Sequence, residues 1–207
     1  YTKTSGKSLY SSKLSQVHNS NFVISVGSYL KSDLPNARYA FNNSVIMNKG
    51  AGLYFHPIAD PVMEKIGKKG KTTEFVYHDV MVEESILYFI LYKFAKNLPA
   101  ETQSYIDSLK ETKTKTLTEV VKENVVEIVV DEATGEEKEV KKVVSKNIST
   151  EVSYEYTSLV ADFGKDENFL DLLNDMLAKK DTFSLMVGED LITHPNSENL
   201  AKLCGLI

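Results

Sequence analysis

The stretch between Asn21 and Gly52 constrains the fold more than any other part of this sequence. It opens with an uncharged apolar run, Phe22 to Val26, which is typical of a strand buried on both faces, and Gly27 ends that run. After a polar loop, Pro35 stands where a first helical residue is favoured, because its missing N–H would be unpaired there anyway. A second apolar run, Leu53 to Phe55, comes next. Strand, helix and strand predict a βαβ unit with a right-handed crossover.

The same pattern returns near the carboxyl end. Phe183 to Gly188 repeats the phasing of Phe22 to Gly27, and Leu191 follows its glycine at the same spacing as Leu30 does. Two related strand–loop–helix units predict an α/β fold with a doubly wound, mostly parallel, Rossmann-like sheet and helices on both faces. Chance similarity between two short segments is the alternative, because such loops draw on few residue types.

Apolar periodicity predicts the remaining elements of the α/β body. The helix that begins near Val82 is apolar on almost every face, so we expect it to be central or covered by a partner, with Asp79 as its cap. His18 is expected in a solvated loop before the first strand. The other predicted elements are a strand at Glu74–Tyr77 and helices at Val62–Ile66, Val82–Asn97, Ala100–Lys110, Glu151–Phe163, Glu167–Lys179 and from Asn196 or Ser197 onward.

A change of amino-acid composition in the middle of the chain predicts an inserted β-hairpin. Thr118 to Val130 and Glu137 to Ser145 are rich in valine and charge, and the turn between them contains Gly135 as the expected left-handed residue. Glu127 and Lys141 are expected to face each other across the strands, a pairing worth roughly a few tenths of a kcal/mol. The hairpin is too charged to be core, so it either docks on a neighbour or stays solvated.

Length and composition bound the possible functions. The 207 residues, 42% of them hydrophobic, predict one α/β domain divided into 1–112, a hairpin insertion at 113–149, and 150–207. The net charge of −5 disfavours nucleic acid, and no apolar run is long enough for a membrane span. Cys204 is the only cysteine, which excludes a disulfide framework and a cysteine-held iron–sulfur or zinc site in this piece. The chain starts at Tyr1 and stops at Ile207, where another strand is due, so we expect an internal piece of a longer protein.

Ligands of open α/β sheets bind beyond the carboxyl ends of the strands, and three loops are expected to meet there. The loops are Gly27–Leu34, His56–Pro61 and Gly188–Pro195, and their polar side chains include Ser28, Asp33, His56, Asp60, Glu189, Asp190 and His194. The candidate cofactor-binding residues are Gly27, Ser28, Asp33 and His56. The amino terminus of the helix that begins near Pro35 could face a bound phosphate. The sequence has neither a GxGxxG nor a GxxxxGK[ST] motif, which argues against a bound nucleotide.

No set of residues predicts catalysis or a metal site. His56 and Asp60 are four apart, but the proline after each breaks any helix that would bring them to one face, so loop-capping roles are expected instead. His78-Asp79 is interpreted as a strand end followed by a helix cap. Glu189-Asp190 is interpreted as a solvated pair rather than an acid–base pair. The sequence has no GxSxG elbow, so a hydrolase triad is unsupported.

Two segments nevertheless carry a resemblance to known proteins. The segments are FVISVGSYLKSDLPNARYAFNNSVIMNKGAGLYFHPIADPVMEKIG and FSLMVGEDLITHPNSENLAKLCGLI. They resemble the large subunits (G chains) of bacterial NADH–quinone oxidoreductase, respiratory complex I, in the part that belongs to the molybdopterin oxidoreductase superfamily. The similarity covers about the first 95 and the last 25 residues, and the hairpin region is expected to be a lineage-specific insertion. The residues that carry it are Gly27-Ser28, Pro35, Arg38, Gly50 to Gly52, His56-Pro57, Gly188-Glu189-Asp190, His194-Pro195 and Asn199-Leu200.

The resemblance implies a fold kept without an established molybdenum role. In the molybdopterin enzymes, the loop after Gly-Ser and an acid after the second strand contact the guanine nucleotide of the cofactor, and this chain has His56 where that acid is expected. The iron–sulfur clusters of the parent chain lie in an amino-terminal part, so this piece is left with at most a vestigial molybdopterin guanine dinucleotide site. The implied setting is electron transfer from NADH to quinone at the cytoplasmic face of the inner membrane, in the peripheral arm, with the other arm subunits as partners.

Three functions stay open on the sequence alone. The first is a structural domain of the peripheral arm with no chemistry of its own. The second is a nucleotide- or molybdopterin-binding domain of a molybdopterin oxidoreductase. The third is an interaction module that acts through the hairpin.

Overall fold

The fold is built on strand β1 (Phe22–Val26), whose residues are all buried. The computed structural model describes residues 1–8, 13–130 and 137–207, and of 124–130 and 137–142 it describes the backbone alone. In the sheet, β1 lies between β2 (Ala51–Phe55) and β6 (Phe183–Val187), and β3 (Thr73–Val76) lies beyond β2, all in parallel. Helices flank this sheet, so the predicted α/β fold with a parallel sheet is confirmed.

The two segments that share a sequence pattern are neighbours in the sheet. Phe22 pairs with Phe183 and Val26 pairs with Val187, so β1 and β6 run side by side in register. Strand order is β3-β2-β1-β6, and it therefore reverses direction between β1 and β6. This reversal is the topological switch point at which open α/β sheets bind ligands.

The described helices and turns follow the predicted order in most places. They are α1 (Thr2–Ser5), α2 (Leu14–Asn19), α3 (Pro35–Asn42), a π-helical turn (Asn43–Met47), a 3-10 turn (Met63–Lys65), α4 (Glu83–Phe94), α5 (Ala100–Ser108), α6 (Leu159–Asp162), α7 (Glu167–Leu177), α8 (Glu189–Thr193) and α9 (Ser197–Cys204).

The core fills both faces of the sheet. On one face, Tyr54 and Phe75 pack with Phe41 of α3. The Phe41 ring occupies the space that a side chain at Gly52 would need, so only glycine fits at that position. On the other face, the Phe94 ring of α4 stacks on Phe183 with centroids 4.5 Å apart. Six of the twelve residues of α4 are buried and none is exposed, in agreement with the central position expected from its apolar faces.

Three local predictions are wrong. The predicted helix at Glu151–Phe163 is a strand as far as Thr157, because Val152, Tyr154 and Tyr156 alternate with polar residues at the period of a strand, and only Leu159–Asp162 is helical. Asp79 does not cap α4, since Val82 occupies the N-cap position. His18 lies in α2 rather than in a solvated loop, and its Nδ1 is 3.2 Å from Nδ2 of Asn43.

The middle of the chain is an antiparallel pair of long strands, β4 (Lys110–Val130) and β5 (Glu137–Thr157). Residues 111–156 form a unit separate from the body at 1–110 and 157–207. Thr118 lies across from Ser149, with their hydroxyl oxygens 3.4 Å apart. The other face carries lysine ammonium groups over tyrosine rings, with Lys113 Nζ 3.4 Å from the Tyr156 ring centroid. The predicted turn residue Gly135 and the predicted Glu127–Lys141 pair lie outside the described residues and side chains.

Gly188→Ala is expected to destabilise the body severely. The backbone at Gly188 is ordinary for any residue, with φ −106°, but an added Cβ would overlap the Gly27 carbonyl oxygen and the Ser28 side chain. We expect a loss on the order of 3 kcal/mol in the free energy of unfolding, measured by urea denaturation. Gly164→Ala is the matched control, because a Cβ there meets open space and only its φ of +71° is unfavourable, at about 1–2 kcal/mol. An equal or smaller loss for Gly188→Ala would contradict the close approach of the two backbones.

Candidate functional site

The three loops that the sequence places at one edge do meet there. Asp190 N donates to the Gly27 carbonyl oxygen at 3.1 Å, which joins the third loop to the first. Lys31 N donates to Asp60 Oδ2 at 3.2 Å, which joins the first to the second. His56 Nε2 lies 3.5 Å from Asp190 Oδ2, which joins the second to the third. The prediction that these loops converge is confirmed.

In the loop after β1, the backbone N–H groups donate to acceptors that belong to the chain itself. The backbone N–H groups from residue 29 to residue 33 all have an internal acceptor. The bonds are Tyr29 N to Asp33 Oδ2 (2.7 Å), Leu30 N to Tyr54 Oη (3.4 Å), Lys31 N to Asp60 Oδ2 (3.2 Å), and Ser32 N and Asp33 N to the Tyr29 carbonyl (3.0 Å each). Two of these acceptors are carboxylates, and they occupy the donors that a phosphate would need in this loop.

Tyr54 and Asp60 form the buried polar centre beneath this loop. Tyr54 Oη donates to the Ser28 carbonyl at 2.8 Å and lies 3.3 Å from Asp60 Oδ2. Asp60 Oδ1 accepts from the backbone N–H groups of Val62 and Met63 at 3.1 and 3.2 Å. The loop-capping role expected of Asp60 is confirmed. Burial, followed by the adjacent Asp60 carboxylate, raises the pKa of Tyr54 above its usual range.

The structure brings three of the four candidate cofactor-binding residues to one edge and leaves the fourth in solvent. Gly27 has φ 68° and turns the chain out of β1. Ser28 is buried, and its Oγ has no hydrogen-bond partner among the described residues. His56 is buried at the end of β2. Asp33 is exposed and accepts the Tyr29 N–H of its own loop.

Two His-Pro turns repeat the same local geometry. After β2, the Ile58 N–H donates to His56 Nδ1 at 3.1 Å, and the Ile58 carbonyl oxygen lies 2.9 Å from the same nitrogen. After α8, the Asn196 N–H donates to His194 Nδ1 at 2.9 Å. In each turn, the backbone of the residue two positions after the histidine bonds to Nδ1, and Nε2 faces a carboxylate. The carboxylate facing His56 is that of Asp190, at 3.5 Å, and the one facing His194 is that of Glu83, at 3.6 Å.

Both pairs line one cleft, which we call the His–carboxylate cleft. Its volume is about 260 Å³. It is lined by His56, Pro57, Ile58, Val80, Met81, Glu83, Asp190, Thr193, His194 and Pro195. The His194 and Glu83 side chains are each 5% exposed, whereas the Asp190 side chain is 40% exposed. No lysine or arginine of the described chain lines this cleft.

The cleft is poorly suited to acid–base catalysis. Because the Asn196 N–H donates to Nδ1 of His194, that nitrogen carries no proton, and the ring proton lies on Nε2. His56 Nδ1 has a backbone partner in either tautomer, and its Nε2 faces Asp190. Neither ring presents a free basic nitrogen to a substrate. Within the described residues, no group of three or more His, Cys, Asp or Glu side chains is arranged to hold a metal ion.

Sequence reasoning missed the role of Glu83. Glu83 lies in the first turn of α4, where it is buried and faces His194. The signal that could have found the cleft is the recurrence of His-Pro, at His56-Pro57 directly after β2 and at His194-Pro195 directly after α8. His78 follows the prediction of a strand-end residue, with Nδ1 2.8 Å from the Asp79 carbonyl oxygen rather than paired with the Asp79 side chain.

Comparison with known proteins gives no assignment, since neither a family profile nor a curated protein matches the sequence. Among the described residues, no helix combines the length and the apolar character needed to cross a bilayer.

Alkaline pH is expected to destabilise the protein through the buried phenol of Tyr54. Burial is the main cause of the raised pKa of Tyr54, and the neighbouring Asp60 carboxylate adds to it. The folded state then keeps protons that the unfolded state releases near pH 10, so this stability is present below about pH 10 and is lost as pH rises further. Urea denaturation across this range should show a flatter decline for Tyr54→Phe than for the wild type. Exposed Tyr39→Phe is the control and should keep the wild-type slope; an unchanged slope in Tyr54→Phe would contradict the assignment.

Proposed function

We propose that this chain is a structural α/β domain of the large subunit of NADH–quinone oxidoreductase, the G chain of respiratory complex I, and that it has no chemistry of its own. In this proposal the domain belongs to the peripheral arm at the cytoplasmic face of the inner membrane. Its partners are other arm subunits, and the iron–sulfur clusters lie elsewhere in the parent chain. The support from sequence is the resemblance around Gly27-Ser28, His56-Pro57 and His194-Pro195.

The observation that supports the proposal is that the backbone N–H groups of the loop after β1 already donate to acceptors within the chain. A dinucleotide cofactor places its pyrophosphate against free N–H groups at the end of β1. Here the N–H groups of residues 29–33 are bonded within the chain, and the carboxylates of Asp33 and Asp60 are among their acceptors. A phosphate in this loop would have to displace those bonds and lie beside two negative charges. The residues present therefore do not fit a molybdopterin guanine dinucleotide, and we assign the domain no cofactor.

A test of this proposal is the melting temperature with and without millimolar GMP, GDP, ATP and NADH. We expect no shift with any of them. A ligand at 100 times its dissociation constant would stabilise the fold by about 2.7 kcal/mol, which for a chain of this size is roughly 5–10 °C. A shift with a guanine nucleotide that is lost in Ser28→Ala or Asp33→Ala would contradict the proposal, because it would indicate a surviving cofactor pocket.

The ribbon formed by β4 and β5 supports a second function, as an interaction module. An isolated two-stranded hairpin is at best marginally stable in water. This one carries large apolar side chains that are more than a third exposed. They are Leu117, Val120, Val143, Val144, Ile148 and Val152. A partner that covers them would supply the missing burial.

Deletion of residues 115–146 separates the two functions. The tagged full-length parent chain, with and without the deletion, is purified from membranes and assayed for bound NADH dehydrogenase activity. The structural proposal expects the intact chain to bring this activity with it, and absence of the activity would contradict it. If the ribbon is the docking element, the deleted chain loses the activity; if recovery is unchanged, the interaction function fails and the structural one stands.

A further inference from the structure

We propose that the His–carboxylate cleft receives a basic side chain, an arginine or a lysine, from a partner protein. This inference rests on the proposed role of the domain as a structural body within an assembly, and it names the contact through which a neighbour docks.

The cleft contains a buried acceptor that lacks a donor. Glu83 Oε2 is buried and has no hydrogen-bond partner in the described part of the chain. His194 Nε2 is buried and unbonded as well, and the 3.6 Å between the two atoms exceeds a hydrogen bond. A buried carboxylate oxygen without a donor is costly, so a donor supplied from outside would be strongly favoured.

The charge of the cleft specifies the donor. Glu83 and Asp190 are its carboxylates, and no lysine or arginine of the described chain lines it. His194 does not balance this charge, because its unprotonated Nδ1 makes the ring neutral. A cationic group is therefore complementary to the cleft, and a charge-assisted bond is the stronger kind. Guanidinium fits best, because it is always charged and presents several N–H donors in a planar fork that suits a carboxylate.

Size and rim favour a protein side chain over a free small molecule. The volume of about 260 Å³ is below the roughly 300–1,000 Å³ that is usual for small-molecule sites. The rim carries three apolar residues that are largely exposed, Ile58 at 63%, Val80 at 69% and Met81 at 55%. A small cation in the cleft would leave this rim in water, whereas the surface around an inserted side chain would cover it. An apolar rim around a buried charged centre is the arrangement expected of a docking anchor.

The test uses two capped peptides, each with one central residue between glycines. The residue is arginine in one peptide and citrulline, its neutral isostere, in the other. Binding to the full chain is followed through the imidazole nitrogen signals of His56 and His194 by NMR. We expect saturable shifts with the arginine peptide and at least tenfold weaker binding of the citrulline peptide. Glu83→Gln should weaken the arginine peptide at least tenfold, and Glu189→Gln, which removes the same charge from an exposed site on α8 outside the cleft, should leave it unchanged.

Several outcomes would overturn the proposal. These are equal binding of both peptides, no saturable shift at either histidine, or equal weakening by Glu83→Gln and Glu189→Gln. Methylguanidinium is a further arm: if it binds as tightly as the arginine peptide, the cleft is a small-cation site and not a docking anchor. Asp190→Asn, at a half-exposed position, replaces Glu83→Gln if the latter does not fold. None of these measurements involves a nucleotide, so their failure is distinct from a failure of the proposed function.

Discussion

The close approach of two backbones at Gly27 and Gly188 is the constraint on which the rest of the structure depends. Strands β1 and β6 run in register and end side by side, so the chain leaving one meets the chain leaving the other. Gly188 N donates to the Val26 carbonyl at 2.8 Å, and Asp190 N donates to the Gly27 carbonyl at 3.1 Å. A side chain at Gly188 would separate the two loops. The two glycines therefore bring the loops after β1 and β6 into contact at the switch point of the sheet.

The position of the His–carboxylate cleft follows from that contact between the two loops. Asp190 is held over the end of β1 by its own N–H, and from there its carboxylate reaches His56 at the end of β2. The short helix α8 then carries the chain to His194, which faces Glu83 at the start of α4. Two His–carboxylate pairs thus connect three elements that are far apart in sequence. The two pairs place the histidine and carboxylate side chains of the cleft at the end of β2, on α8, directly after α8 and at the start of α4.

The sequence predicted the parts of the fold that are specified locally. β1, β6 and the starts of α3 and α7 follow from apolar runs, a glycine and a proline, which act within a few residues. The far end of β5 was harder, because Tyr154 and Tyr156 alternate among polar residues and fit a short amphipathic helix as well. The Glu83–His194 pair could not be predicted, since its partners are distant in sequence and their contact depends on where α8 and α4 pack. Convergence of the loops was predictable because parallel strands fix which ends lie together.

The proposed structural role depends on which atoms accept hydrogen bonds from a few backbone N–H groups in the loop after β1. The chain after β1 has a glycine turn followed by a helix that begins with a proline. In the loop between them, Asp33 and Asp60 accept directly from backbone N–H groups, and Tyr54 Oη donates to the Ser28 carbonyl. An internal carboxylate satisfies those donors permanently and adds rigidity, whereas a bound phosphate does so only while it is present. In the proposed structural role, the switch point holds no ligand, and the outer cleft is the surface that we propose for contact with a neighbouring protein.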